Sequence, residues 1–326
     1  EADGAEPSVL PEEEQAAAGI PDRRLALLYV CAHPAIDRGV RSALMLQLVL
    51  GVDAQTIAGV FLVPPSALAQ RLVRAKRRIR DAGLSFEMPA ARDLPQRTHA
   101  VLEAIYAAYA VGGDAPAALD APARGLREEA LYLARLVAGL RDRDPEALGL
   151  LALLLHCEAR SGARRDADGR FVPLHAQDTA RWDGALIAEA ERTLAQAAAL
   201  RRPGPFQLEA AIQSAHAQRA STGRSPWRSI ATLYAHLQRL APTLGGEVAH
   251  AVAVAESGRL EDGFALLDAL PQAPLARYQP YWAARAHLLA MAGRGEDAVE
   301  AYTRAAGLSD DPSVRDFLLE RAARLR

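Results

Sequence analysis

The stretch from Asp37 to Gly83 constrains the fold most, because its apolar residues recur at helical spacing in three short runs. Asp37 and Asp53 stand directly before the first two runs, where an N-cap side chain belongs. Gly51 follows the first run in the position of a helix-ending glycine. The third run, residues 65–82, begins with a proline, which fits the first turn of a helix. The pattern predicts three helices joined by short turns.

The third of these helices combines an apolar face with a cationic one. Its apolar positions recur at steps of three or four and are Leu68, Leu72, Ala75 and Ile79. Gln70 and a series of arginines fill the remaining positions, and no acidic residue lies between Pro65 and Arg80. A helix, a short turn and a second helix rich in Gln and Arg are typical of the helix-turn-helix motif, whose second helix enters the major groove. The alternative is an ordinary helix with a solvated, charged face.

The length, composition and net charge limit which classes of protein this chain can belong to. At 326 residues the chain is long enough for two or more domains, and half of its residues are hydrophobic. Only 5% are aromatic, so Ala and Leu fill the apolar positions, which suits packed helices. The net charge of −2 argues against a globally basic nucleic-acid binder, but it leaves a local basic face possible.

The cysteine count and the lack of membrane and secretory segments indicate the cellular compartment. Cys31 and Cys157 allow one disulfide at most, so a reduced, cytoplasmic protein is expected. We find neither a run of about 20 apolar residues, as a membrane span requires, nor a cationic and then apolar secretory signal. The first residues are acidic instead. Residues 1–20 are therefore predicted to be an acidic linker or tail. The alternative is that this acidic segment screens the charge of the cationic helix.

Further along, the chain reads as helices separated by loops. Residues 84–97 are interrupted by prolines and predict a linker, and residues 98–240 predict a helical domain. In the last part, residues 241–326, the segment Ser257–Leu270 matches Ala292–Ala305 at an offset of 35 residues. That period is typical of tetratricopeptide repeats, which stack into arrays that bind peptides or helices. A final capping helix is expected after Asp311.

The sequence contains no recognisable arrangement of catalytic residues. His156, Cys157 and Glu158 are contiguous, so their side chains point in different directions around a helix. Asp166 and Asp168 resemble the start of a calcium loop, but the remaining ligands are missing and a polar turn is the better interpretation. We therefore expect no enzymatic activity, no metal and no cofactor.

Several stretches carry a family resemblance. Residues 47–83 read QLVLGVDAQTIAGVFLVPPSALAQRLVRAKRRIRDAG and resemble region 4 of extracytoplasmic-function sigma factors of bacterial RNA polymerase. The preceding LALLYVCAHPA resembles a segment of one subgroup that has a long helical C-terminal extension. Five later stretches resemble that extension, in the same order. They are LREEALYLARLVAGL, EALGLLALLLHCEAR, QDTARWDGALIAEA, GPFQLEAAIQSAH and AVAVAESGRLEDGFALLDAL. The resemblance covers residues 21–326.

The chain also departs from that family. The subgroup's paired cysteines correspond to Cys31-Ala32, and residues 102–109 lack an Asn-Glu-Gly sequence found in relatives. Nothing resembles region 2, which grips the polymerase and melts the −10 element. The resemblance therefore implies either the C-terminal portion of a longer sigma factor or a form that cannot initiate transcription alone.

The resemblance implies an all-α protein: a helix-turn-helix domain over residues 21–83, followed by a helical, tetratricopeptide-like domain. It implies a transcription factor that recognises the promoter −35 element and core RNA polymerase, with an extension that regulates it or binds a protein partner. The residues expected near base edges are Ser66, Ala67, Gln70 and Arg71, and those expected at phosphates or polymerase are Arg74, Lys76, Arg77 and Arg78. The alternative is a helical-repeat adaptor whose sigma-like module no longer binds DNA.

Overall fold

A computed structural model of the chain describes residues 20, 22–61, 63–81, 89–114 and 121–326. Throughout these residues the regular structure consists of α-helices and short 3-10 turns, with one isolated bridge between Arg165 and Phe171. The predicted all-α class is confirmed. Three sequence predictions lie outside the described residues: the acidic stretch up to residue 19, the end of the cationic helix at Gly83, and linker residues 84–88.

The chain divides into two compact units, and the first extends to Ala147. Its helices are α1 (Arg23–Cys31), α2 (Arg38–Leu48), α3 (Ala54–Val60), α4 (Pro65–Asp81), α5 (Leu94–Asp114) and α6 (Ala121–Leu140). A seventh helix, α7 (Pro145–Ala159), begins at the end of this unit and continues into the next.

Aspartates start the first three helices, because each carboxylate accepts backbone N–H groups that have no partner within the helix. Asp22 caps α1, Asp37 caps α2, and Asp53 caps α3. Gly51 adopts φ = +70°, which an L side chain rarely adopts, and so supplies the turn after α2. The predicted caps and the helix-ending glycine are confirmed.

Helix α5 packs against α1, α2 and α3. Buried Tyr29 on α1 places its hydroxyl 3.2 Å from Thr98 Oγ1, and Arg97 donates a hydrogen bond of 3.2 Å to the Tyr29 carbonyl. Residues 94–97, predicted as the end of a linker, are instead the first turn of α5. Pro95 is compatible with that turn because the first N–H groups of a helix are not used within it.

The second unit begins at Leu148. Its helices are α8 (Gly184–Ala199), α9 (Pro205–Ala217), α10 (Arg219–Thr222), α11 (Trp227–Leu240), α12 (Leu244–Glu256), α13 (Leu260–Asp268), α14 (Gln272–Leu275), α15 (Gln279–Met291), α16 (Gly295–Gly307) and α17 (Pro312–Ala323). Sequential neighbours pack pairwise, with α11 on α12, α12 on α13, α15 on α16 and α16 on α17.

The two copies of the internal repeat adopt the same local turn. Gly258 before α13 and Gly293 before α16 have φ = +95° and +72°. After each glycine an arginine bonds a carboxylate three residues later: the Arg259–Asp262 and Arg294–Asp297 ion pairs both measure 2.7 Å. The two matching segments therefore share this local turn.

A long connection between α7 and α8 crosses to the last helix of the same unit. Its tight turn forms because Asp166 accepts hydrogen bonds of 2.9 Å from both Asp168 N and Arg170 N, so the polar-turn interpretation is confirmed. Arg165 on this connection forms a 2.7 Å ion pair with Asp311, the N-cap of α17. The connection is thus part of the packed unit.

The length and apolar content of each helix bear on whether the chain could cross a membrane. In the described part of the chain no single helix is long and apolar enough to cross a membrane, although the bent pair of α3 and α4 passes the same test.

Candidate nucleic-acid interface

Helix α4 is held in place by one apolar face. The buried side chains of Leu68, Leu72, Ala75 and Ile79 form this face, as their spacing predicts. They pack toward α2 and α3. The fixed apolar face determines which polar side chains of α4 reach solvent.

Lys76 has a role that the sequence did not predict. Its ammonium donates a 2.7 Å hydrogen bond to Gln47 Oε1 on α2, and the lysine is half-buried. The sequence prediction placed Lys76 at a phosphate or at polymerase. In the structure its ammonium bonds Gln47 of α2, and its contact with a phosphate or polymerase stays a prediction.

The face of α4 opposite the buried residues is exposed and acid-free up to Arg80. The exposed polar residues predicted as contacts are Ser66, Gln70, Arg71, Arg74, Arg77 and Arg78, while Ala67 is half-buried. Arg77 makes an ion pair of 3.4 Å with Asp81, but both side chains are largely solvated, so this pair holds Arg77 only weakly. The other arginines in this group have no ion-pair partner among the described residues.

One apolar residue shares this exposed face. Val73 is 65% exposed, between Gln70 and Arg77 on the outward side of the helix. Val73 is not among the residues identified from the sequence. Its position on a helical wheel, away from Leu68 and Leu72, indicates that its side chain is exposed. An exposed valine on a cationic face can make apolar contact, for example with a thymine methyl group.

A concavity of about 540 Å³ lies beside α4 where it meets the start of α2. Arg71, Arg74 and Arg78 line one side, and Asp37 and Gly39 line the other. The Asp37 carboxylate is already occupied by the Gly39 N–H, at 2.8 Å. Three guanidinium groups against one carboxylate leave this surface positive and suited to an anion.

Other polar groups in the first unit have structural roles. The hydrogen bond from the Thr56 hydroxyl lowers the pKa of Asp53, whose oxygens also accept backbone N–H groups at the start of α3. Cys31 is a free thiol, and burial raises its pKa to about 11, so it is not a reactive thiolate. Across the described ranges, no three His, Cys, Asp or Glu side chains converge to hold a metal ion.

Fold and surface together define an all-helical protein of two units, with an exposed basic helix in the first. Residues 97–198 match the model of a family of unknown function, DUF6596. An uncharacterized protein of Rhizobium meliloti (strain 1021) is 37% identical over 297 residues, which cover 91% of this chain and 70% of that protein. The chain belongs to the same family as this rhizobial protein. No solved structure matches it.

Proposed function

We propose that residues 22–81 are a sigma region 4-type module that recognises a promoter −35 element and contacts core RNA polymerase. The second unit is proposed to form a helical-repeat domain that regulates this module or binds a protein partner. The observation that carries the proposal is the exposed face of α4, which is acid-free from Pro65 to Arg80 and lies over a fully packed apolar face.

The geometry of α3 and α4 supports a helix-turn-helix. The two helix axes differ in direction by 113°, within the roughly 90–120° that is usual for this motif. Helix α3 is short and is capped by Asp53, while α4 is long and carries the charge. In such a motif the second helix enters the major groove with its N-terminal half.

The exposed residues of α4 then divide by position. Ser66, Gln70 and Arg71 belong to the N-terminal half, where amide and guanidinium groups bond base edges. Arg74, Arg77 and Arg78 follow and would contact phosphates, which fix the register of the protein on the duplex. Lys76 contributes by holding α4 on α2.

The repeated turn in the second unit supports the partner-binding part of the proposal. Small residues such as Ala298 and Ala305 are fully buried, so paired helices approach closely there. Repeats built in this way expose extended surfaces to peptides or helices.

The test of base recognition is a selection from duplex DNA randomised over the length of one major-groove site. The unaltered protein is expected to enrich one motif, and Gln70→Ala to relax it at one position by about 1–3 kcal/mol, as lost bidentate contacts do. Gln96→Ala, which removes another exposed glutamine from the same unit, is the matched control and should enrich the original motif. Enrichment of no motif, or of the same motif by both variants, would contradict base recognition by α4.

A further inference from the structure

A second basic surface lies in the second unit, between α11 and α12. It is a concavity of about 590 Å³ that also includes the turn before α13. Its basic lining residues are Arg228, His236, Arg239, His250 and Arg259, and no acidic residue lines it. We call this surface the α11–α12 groove.

The basic residues of α11 form a continuous stripe. Arg228, His236 and Arg239 are all exposed and fall at steps of eight and three residues, with Thr232 between them on the same side of the helix. At 1.5 Å per residue the stripe is about 16 Å long. Neither Arg228 nor Arg239 has a side-chain partner within the described part of the chain. Both charges are therefore available to a ligand.

The floor of the groove is apolar. Ala231 and Ala235 from α11 and Val254 from α12 line it beneath the basic rim. Ala231 and Val254 also belong to the packed core of this part of the unit, so the floor is fixed by the fold. Small side chains on both helices leave room for a ligand to lie between them.

The charge of the rim comes mainly from arginine. Arg259 is partly neutralised by Asp262, at 2.7 Å, which leaves Arg228 and Arg239 as the unbalanced charges. Burial, and then the nearby Arg259, lower the pKa of His250, so this histidine is neutral at neutral pH. The local sequence agrees, since no Asp or Glu occurs between Glu209 and Glu247.

We propose that the α11–α12 groove binds an acidic peptide segment whose small apolar side chains rest on the alanine and valine floor. Its carboxylates bond the guanidinium groups of Arg228 and Arg239. A basic rim over an apolar floor complements an amphipathic acidic segment, and helix-in-groove binding uses this geometry. No Phe, Tyr or Trp side chain lines the groove, so it lacks the large stacking platforms that single-stranded nucleic acid commonly uses. This ligand would bind whether or not α4 binds DNA.

The test uses the full chain and a fluorescein-labelled peptide of Glu and Ala residues, whose binding is followed by fluorescence anisotropy at low salt. Thr232→Glu places a carboxylate in the groove and is expected to weaken binding about tenfold, since like charges across an interface repel. Thr303→Glu is the matched control. Both threonines are exposed, lie within helices and bond the carbonyl four residues earlier, at 3.0 and 2.8 Å. The control should change affinity less than about twofold.

A second pair of variants leaves the groove unblocked. Arg228→Gln with Arg239→Gln removes the two free charges and should also weaken the peptide about tenfold. Arg192→Gln with Arg277→Gln makes the same change in net charge at exposed positions outside the groove and should have little effect. Thermal unfolding of all variants checks that each is folded.

Three outcomes would overturn the proposal. The first is equal binding by the groove variants and their controls. The second is equal binding of a peptide in which every Glu is replaced by Gln, because recognition would then not depend on charge. The third is loss of random duplex DNA binding, with peptide binding unchanged, in Thr232→Glu. That result would assign the groove to nucleic acid instead.

Discussion

Helix α4 and the α11–α12 groove both concentrate arginine where acidic residues are missing, but they present the charge in different shapes. On α4 the arginines extend around one helix, from the concavity beside the start of α2 to the outward face. In the groove they surround an apolar floor formed by two helices. A projecting cationic helix can enter a DNA groove, whereas a cationic concavity can enclose a narrower acidic chain. Charge alone therefore does not define the ligand; the surface under the charge does.

The two charged surfaces are also supported in different ways. Helix α4 depends on a single apolar stripe and on the Lys76–Gln47 hydrogen bond. Helix α11 is held by Ile230 and Leu237, which pack in a cluster with residues of α9 and α12. Changes beneath each face should therefore act on stability, and changes on each face should act on binding.

The largest expected effect comes from the buried stripe of α4. Leu72→Ala should destabilise the protein by about 3 kcal/mol, because it removes a buried side chain and leaves a cavity. Val73→Ala alters the adjacent exposed residue and should cost less than about 0.5 kcal/mol. Urea denaturation followed by circular dichroism measures both. Similar losses in the two variants would show that the assignment of buried and outward faces is wrong.

Acidification should weaken the second unit. Burial lowers the pKa of His156 and of His216 to about 4, from an ordinary value near 6.5. Between about pH 4 and pH 6.5 the unfolded chain therefore binds more protons than the folded chain. The contribution of the two neutral histidines to stability is complete above about pH 6.5 and is lost as the pH falls toward 4. At pH 5 the loss is about 2 kcal/mol per histidine.

Hydrogen exchange at pH 7 and pH 5 measures this loss by region. After correction for the intrinsic exchange rate, protection should fall in α7 and α9, which carry the two histidines. Helix α5 provides the contrast. The hydrogen bond between the His99 and Glu103 side chains raises the pKa of His99, so protonation of His99 on acidification adds to the stability of the folded state. Exposed His236→Gln should leave the loss in place. A uniform decrease across α5, α7 and α9 would contradict the regional account.

A smaller effect distinguishes the two copies of the repeated turn. Gly258→Ala and Gly293→Ala should each cost about 1 kcal/mol, because both glycines have positive φ. Only Gly258 lines the α11–α12 groove, so only its substitution should also weaken the acidic peptide. Denaturation and anisotropy on the same samples give both quantities. Equal loss of peptide affinity in both variants would show that the groove is not the binding surface.

The sequence predicts local structure well where a residue's own neighbours decide it. The caps at Asp37 and Asp53, the turn at Gly51 and the buried stripe of α4 all follow from spacing and residue type. The contact between Lys76 and Gln47 does not, because it joins positions 29 residues apart. A charged residue in a basic run gives no sign of which neighbour from another helix it will meet.

The same limit applies to α5 and to the α11–α12 groove. The prolines before Thr98 predict a linker, yet packing against Tyr29 and its helix favours a helix that begins at Leu94. The groove combines α11 with α12 and a later turn, so no single window of sequence contains it. Its visible signal is the stretch between Glu209 and Glu247 without an acidic residue.

The central claim is that the outward face of α4 binds duplex DNA, and its salt dependence tests this most directly. Binding of a duplex that carries the selected motif is measured between about 50 and 200 mM salt, where each phosphate contact contributes close to one unit of slope. Arg71→Ala with Arg74→Ala should lower affinity at least about tenfold and reduce the slope by about one to two. Arg228→Gln with Arg239→Gln should change neither. Unchanged affinity and slope in the α4 variant would contradict the account.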